Sequence, residues 1–333
     1  MICRRAVASG LAASLLLARA SPAFPQTAQK TFRVGYLSLF PPPMTGTAAA
    51  ETYRELRMQL EAHGYVEGRN LVLEERYASG HIDRLPALAS ELAKANLDVI
   101  VAGPASAIRA AHDATTTTPI VMAFSAEDPV KSGFVRSLAH PGTNVTGVTA
   151  QASDIAPKWV ELLSELVPTL RRVAVLANPA QPDHSAYLRI IESHLPPETQ
   201  LVPVEAREAT DYEAAFAAMT AAHAEALVIL GSLSFTRDSG RLAELALSRR
   251  LPSVYLFREY AMAGGLLSYG PDHRDIFDLA AEYVDKILRG ARPENLPVQQ
   301  PTKFELVLNV KTAAVLGLKV PPTLVLRATE VVR

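Results

Sequence analysis

Cysteine is nearly absent from this chain. The single one, Cys3, excludes internal disulfides, a thiolate metal cage and CxxC redox chemistry. Aromatic residues make up only 6% of the 333, with one tryptophan. Neither sign of charge dominates, 33 Lys+Arg standing against 34 Asp+Glu, so no basic domain points to a nucleic-acid partner. Beyond the amino-terminal segment no stretch is long and apolar enough to cross a bilayer. Glycine-rich dinucleotide and phosphate loops, the GxSxG nucleophile elbow and the HExxH zinc motif are all missing. The eight histidines, His63, His81, His112, His140, His184, His194, His223 and His273, are scattered, and none pairs with another at metal-ligand spacing. No catalytic residue, metal or cofactor is therefore expected.

What is present describes a folded protein. Apolar residues reach 49% and charged residues 20%, which excludes a disordered chain, a coiled coil and a collagen-like repeat. The length exceeds one ordinary core and suits two. At the start, Arg4-Arg5 precede an apolar small-residue run from Ala6 to Ala18, followed by Ala18-Arg19-Ala20 and two prolines. That pattern predicts a secretory signal peptide over residues 1–28, too short in its apolar part to be a membrane span. The remainder is expected to be exported and free of stable membrane insertion.

From residue 32 onward short apolar runs alternate with amphipathic stretches, which predicts parallel βα units. The runs are Phe32 to Leu37, Asn70 to Tyr77, Asp98 to Val101, Pro119 to Met122 and Asn144 to Val148. Asp83 is expected to cap a helix through Leu85, Leu88, Leu92 and Ala93. The order then restarts: Arg172 to Leu176, Ala226 to Gly231, Leu251 to Val254 and Gly265 to Ser268 echo the first set. These echoes predict an α/β fold of two similar doubly wound parallel-sheet lobes joined by a multi-strand hinge. The divisions expected are 29–148 plus 272–292 for the first lobe, 149–271 for the second, and a tail, 293–333, returning across the hinge.

In such sheets ligands bind beyond the carboxyl ends of the strands. Those positions give the candidate contacts: Ser38, Phe40, Ser106, Phe124 and Ser125 in the first lobe, and Asn178, Ser232, Phe235 and Tyr255 in the second. The serines and Asp128 serve equally well as helix caps, and the aromatics as core. Gly103-Pro104-Ala105-Ser106 opens a helix whose free N–H groups suit a carboxylate.

Several stretches resemble the bacterial substrate-binding proteins grouped with tryptophan/tyrosine ABC uptake systems. They are Gly64-Tyr65-Val66-Glu67-Gly68-Arg69-Asn70, Arg84 to Ala89, Asp128-Pro129-Val130, Pro141 to Gly147, Leu296 to Val307, and Leu316-Gly317-Leu318 with Pro321-Pro322. The resemblance implies a type I periplasmic-binding-protein-like fold in the periplasm, with a small molecule held between the lobes. It further implies delivery to an ABC permease with its ATPase, by a protein that is a monomer in the class default. Amino-acid-binding relatives tend to carry a Thr-Asp-Asn-like run where this chain reads Ser232-Leu233-Ser234, and a His-Pro pattern near Ser38-Leu39-Phe40. The departures point away from a zwitterion and toward an aromatic or carboxylate-bearing ligand. A periplasmic sensing module for a receptor, or a two-lobed lyase or isomerase, remain the alternatives at this level.

Overall fold

The compact apolar runs become strands that are buried on both faces, as parallel sheets require. The computed structural model of the chain describes residues 30–42, 48–125, 127–149, 155–181 and 184–333. The expected signal peptide, residues 1–28, lies outside them. The first sheet takes β1 (Phe32–Ser38), β2 (Leu71–Tyr77), β3 (Val99–Gly103), β4 (Ile120–Ser125) and β5 (Val145–Thr149) in the order β2-β1-β3-β4-β5, all parallel. The second takes β6 (Arg172–Ala177), β7 (Gln200–Glu205), β8 (Ala226–Ile229), β9 (Ser253–Tyr255) and β10 (Leu267–Pro271) in the order β7-β6-β8-β9-β10. The two orders are the same, so the chain builds one doubly wound pattern twice. Two further strands widen the second sheet: β11 (Phe304–Asn309) runs antiparallel to β10, and β12 (Glu330–Val332) parallel to β11.

Helices cover both faces of the first sheet. On one face Val34, Tyr36, Val99, Val101 and Val121 meet Leu56 and Leu60 of α1 (Ala48–Ala62) and a stripe of α10 (His273–Leu288). That stripe, Ile276, Phe277, Ala280, Ala281, Val284 and Ile287, repeats every three to four residues as a helix face must. Asp272 caps α10, accepting from the Arg274 amide at 2.8 Å. On the other face Leu37, Ile100, Ala102, Ile120 and Met122 meet α2 (Leu85–Ala93) and α3 (Ala105–Ala114). Asp83 does not cap α2 as expected. It sits inside a 3-10 turn, Ile82–Arg84, and Arg84 holds the N-cap position without a side-chain bond. Pro86 lies in the first turn of α2 and has no N–H there to be capped.

The second sheet is covered by α4 (Ala156–Leu166), α5 (His184–His194), α6 (Tyr212–Ala221) and α8 (Ser239–Ser248), whose apolar residues form one cluster with the strands. Shorter helices, α7 (Leu233–Arg237) and α9 (Arg258–Met262), follow β8 and β9, while α11 (Val310–Leu316) and α12 (Pro322–Arg327) separate β11 from β12.

Among the described elements the chain changes sheet three times: between β5 and α4, between β10 and α10, and between the strap before β11 and β11. Gln299 in that strap is tied to the end of β5, donating to the Gly147 carbonyl at 3.0 Å and accepting from the Thr149 amide at 2.9 Å. Residues 31–333 form one compact unit. The first two crossings leave from the carboxyl ends of β5 and β10, so the hinge joins the carboxyl edges of both sheets.

Candidate functional site

Parallel pairing sets the carboxyl ends of a sheet side by side. In the first lobe Ser38 lies opposite Gly103 and Tyr77 in register. Its side chain is 1% exposed and its Oγ accepts from the Phe40 amide at 3.1 Å, turning the chain at the end of β1. Burial pushes the Tyr36 hydroxyl up to about 12, against a hydrogen bond with Ser38. Phe40 is half-buried. Ser106 lies in the first turn of α3, where Pro104 holds the N-cap position and no side chain caps the helix. The free N–H groups of such a start can receive an anion.

Ser125 ends β4 and is fully buried, yet among the described residues its hydroxyl has no hydrogen-bond partner. Its position depends on Gly147. That glycine has φ +121°, and a Cβ there would stand 2.5 Å from the Met122 carbonyl oxygen. The close approach accompanies a register shift between Met122 and Ser125. Thr149 then locks the loop after β4, donating to the carbonyls of Ser125 at 3.4 Å and Glu127 at 3.0 Å. Asp128 has a turn-closing role, accepting from the amides of Val130 at 2.9 Å and Lys131 at 3.3 Å. The Phe124 side chain lies outside the described residues.

In the second lobe Asn178, beyond β6, and Ser232, beyond β8, are both 6% exposed and bonded to each other, Nδ2 to Oγ at 3.2 Å. Asn178 Nδ2 also reaches Ser234 Oγ at 3.4 Å and the Arg207 carbonyl at 3.3 Å, while its Oδ1 accepts from the Ala180 amide at 2.9 Å. Ser232 and Ser234 hydroxyls are 2.9 Å apart. Underneath, His184 Nδ1 accepts from the Asn178 amide at 2.8 Å, so its proton sits on Nε2 and is donated to the Gly231 carbonyl at 3.0 Å. Burial lowers the imidazole's pKa, partly offset by that carbonyl, and the ring is neutral.

Phe235 and Tyr255 are set apart from this network. Both are fully buried, Phe235 edge-on to Tyr212 at 5.9 Å and Tyr255 stacked on Tyr260 at 4.6 Å. The Tyr255 hydroxyl accepts from Ser253 Oγ at 2.8 Å, and burial keeps it protonated. Sequence reasoning passed over His184, Ser234 and Thr149. Spacing carries no trace of the His184 bonds to Asn178 and Gly231, because Gly231 arrives from another βα unit. Among the described residues no group of three or more His, Cys, Asp or Glu is placed to hold a metal ion.

A family model described as ABC transporter substrate binding protein matches residues 43–332. A tyrosine-binding protein from Clostridioides difficile is 24% identical over 261 residues, covering 78% of this chain and 74% of that one. A conserved domain protein from Vibrio cholerae superposes with TM-score 0.81 at 28% identity, covering 91% of this chain and 100% of the other. An ABC domain from Streptococcus pneumoniae in complex with L-Trp gives TM-score 0.81 at 20% identity, over 91% of this chain and 100% of that one. The fold shared is the type I periplasmic-binding-protein-like one.

Proposed function

The chain belongs to the ABC transporter substrate-binding protein family, and on that premise we propose that it captures a small aromatic or carboxylate-bearing molecule between its lobes and hands it to a membrane permease driven by an ATPase. It acts in the periplasm after removal of residues 1–28. Ligand bridges the two carboxyl edges and stabilises a closed arrangement by binding it better than the open one. In the first lobe Ser38, Ser125 and the start of α3 at Ser106 receive the polar group, with Phe40 beside them. In the second, Asn178 and Ser232 present a fixed polar floor, while Phe235 and Tyr255 belong to the buried core instead.

One observation carries this reading: the fully buried hydroxyl of Ser125 at a strand's carboxyl end, which has no hydrogen-bond partner among the described residues. Leaving a buried donor unmet costs about 1–3 kcal/mol, so a site that exists to be filled accounts for it. The relatives support an aromatic ligand, one being a tyrosine-binding protein and another solved with L-Trp. The test is a thermal-shift screen of L-tyrosine, L-tryptophan and aromatic acids without an ammonium group. A ligand at a hundredfold its Kd adds about 2.7 kcal/mol of stability. Small-angle scattering with any hit is expected to report compaction, and stabilisation without compaction would show that the lobes do not close on it.

A further inference from the structure

The serine pair on the polar floor of the second lobe has more protons than its own bond uses. The Asn178 amide is fixed in one orientation, because its Oδ1 accepts from the Ala180 amide at 2.9 Å while Nδ2 donates to the Arg207 carbonyl at 3.3 Å. Nδ2 also faces Ser232 Oγ at 3.2 Å and Ser234 Oγ at 3.4 Å, so both serine oxygens meet a donor on that side. Ser232 holds the N-cap position of α7 without a side-chain capping bond, which leaves its hydroxyl to the network. The two hydroxyls are 2.9 Å apart and own two protons, of which their mutual bond uses one. The other must go elsewhere.

An acceptor stands behind the pair. Tyr212, buried with its ring edge-on to Phe235, donates its hydroxyl to Asp238 Oδ2 at 3.0 Å. A carboxylate only accepts, so the Tyr212 proton is committed there and the phenol oxygen keeps its lone pairs for a neighbour. Arg237 makes that commitment firm by gripping Asp238 through Nε and a second guanidinium nitrogen, both at 3.0 Å. Against burial, the Arg237 and Tyr212 bonds hold the Asp238 carboxyl below the usual carboxylate range. Burial and Asp238 push the Tyr212 phenol up, and a hydrogen bond from Ser234 works against them.

We propose that the spare proton runs inward, from Ser232 to Ser234 to Tyr212, so that the floor meets the ligand with oxygen lone pairs and selects a molecule carrying an O–H or N–H donor. An aromatic acid with a ring hydroxyl or ring N–H, its carboxylate toward the first lobe, fits this floor. A ring that ends without a donor leaves the floor's lone pairs unmet. The inference rests on the proposed function, in which Asn178 and Ser232 face the ligand, and adds which end of the ligand they take. Tyr212 and Asp238 are positioning residues, because both act through Ser234.

The test compares 4-hydroxyphenylacetate with 4-fluorophenylacetate, which has nearly the same outline and no donor, by calorimetry. The parent protein is expected to bind the hydroxy acid about fivefold to tenfold more tightly, as one hydrogen bond allows. Tyr212→Phe removes the inward acceptor and turns the spare proton toward the ligand, so the ratio should fall to about one or invert. A merely structural role would weaken both acids alike and leave the ratio where it was. Equal binding by the parent protein, or an unchanged ratio in Y212F, would overturn the proposal. Should Y212F not fold, Asp238→Asn decides in the same way: Arg237 keeps the amide oxygen, and the amide nitrogen then donates to Tyr212 and reverses its proton. L-Tyrosine against 4-fluoro-L-phenylalanine repeats the comparison on an amino-acid backbone. If neither pair binds, the aromatic reading fails, and the proton is followed without ligand in protein whose tyrosines carry carbon-13 at Cζ. Ser234→Ala should then shift the Tyr212 resonance, identified with Y212F, and an unmoved resonance would sink the relay.

Discussion

The backbone amide of Asn178 donates to Nδ1 of His184 at 2.8 Å, while Nε2 of the same ring meets the Gly231 carbonyl at 3.0 Å. One buried neutral imidazole thus fastens the loop after β6 to the loop after β8. Its lowered pKa means that the unfolded chain takes up a proton before the folded one does. This contribution to stability is full above about 6.5 and is lost as pH falls below it. Urea midpoints measured across that range should drop in acid. His184→Leu should flatten this part of the dependence, and it should cost about 1–3 kcal/mol at neutral pH through the orphaned Asn178 amide.

Ser125→Ala separates binding from folding. The hydroxyl has no partner among the described residues, so its removal should leave the denaturation midpoint unchanged or slightly raised. If the hydroxyl meets ligand, calorimetry should show affinity falling about fivefold to tenfold, the equivalent of ~1 kcal/mol. A stability loss with affinity intact would assign Ser125 to the scaffold.

Phe235→Ala and Tyr255→Phe should act mainly on stability. The first empties a fully buried position beside Tyr212 and should cost about 3–5 kcal/mol in denaturant unfolding. The second leaves Ser253 Oγ without its acceptor and should cost about 1–3 kcal/mol.

Gly147→Ala joins strain to collision, since φ is +121° and the Met122 carbonyl stands 2.5 Å from the added carbon. The expected loss is at least about 1–3 kcal/mol. Because β5 must then back away from β4, ligand affinity should fall together with stability, unlike the outcome for Phe235→Ala.

The strands and their recurrence were legible because parallel strands buried on both faces read as apolar runs, and runs recurring in the same sequence point to one topology used twice; their order within each sheet was not. The long helix was equally legible: Asp272 before its first turn and Gly290, at φ +99°, after its last mark both ends. Harder to read were β12 and α12, three and six residues long, which are too short to show a period. The aromatics misled for a related reason. A strand-end tyrosine looks the same whether it turns toward a ligand or, like Tyr255, stacks on Tyr260 from the next helix. Asp83 failed as a cap because the chain inserted a 3-10 turn ahead of Pro86. The serines at the strand ends could be located, but which hydroxyl stays unmatched depends on neighbours from distant units.

Neither lobe is drawn from one continuous stretch of chain. The apolar face of the first sheet at Val34, Val99 and Val121 has part of its cover in Ile276, Phe277 and Ala280, which are synthesised more than a hundred residues after β5 ends. The second sheet in turn waits for β11 and β12. A ribosome therefore cannot release a finished front half. Both halves mature together near the end of synthesis, and a fragment cut after Thr149 would present one bare greasy face and aggregate instead of behaving as a small independent domain.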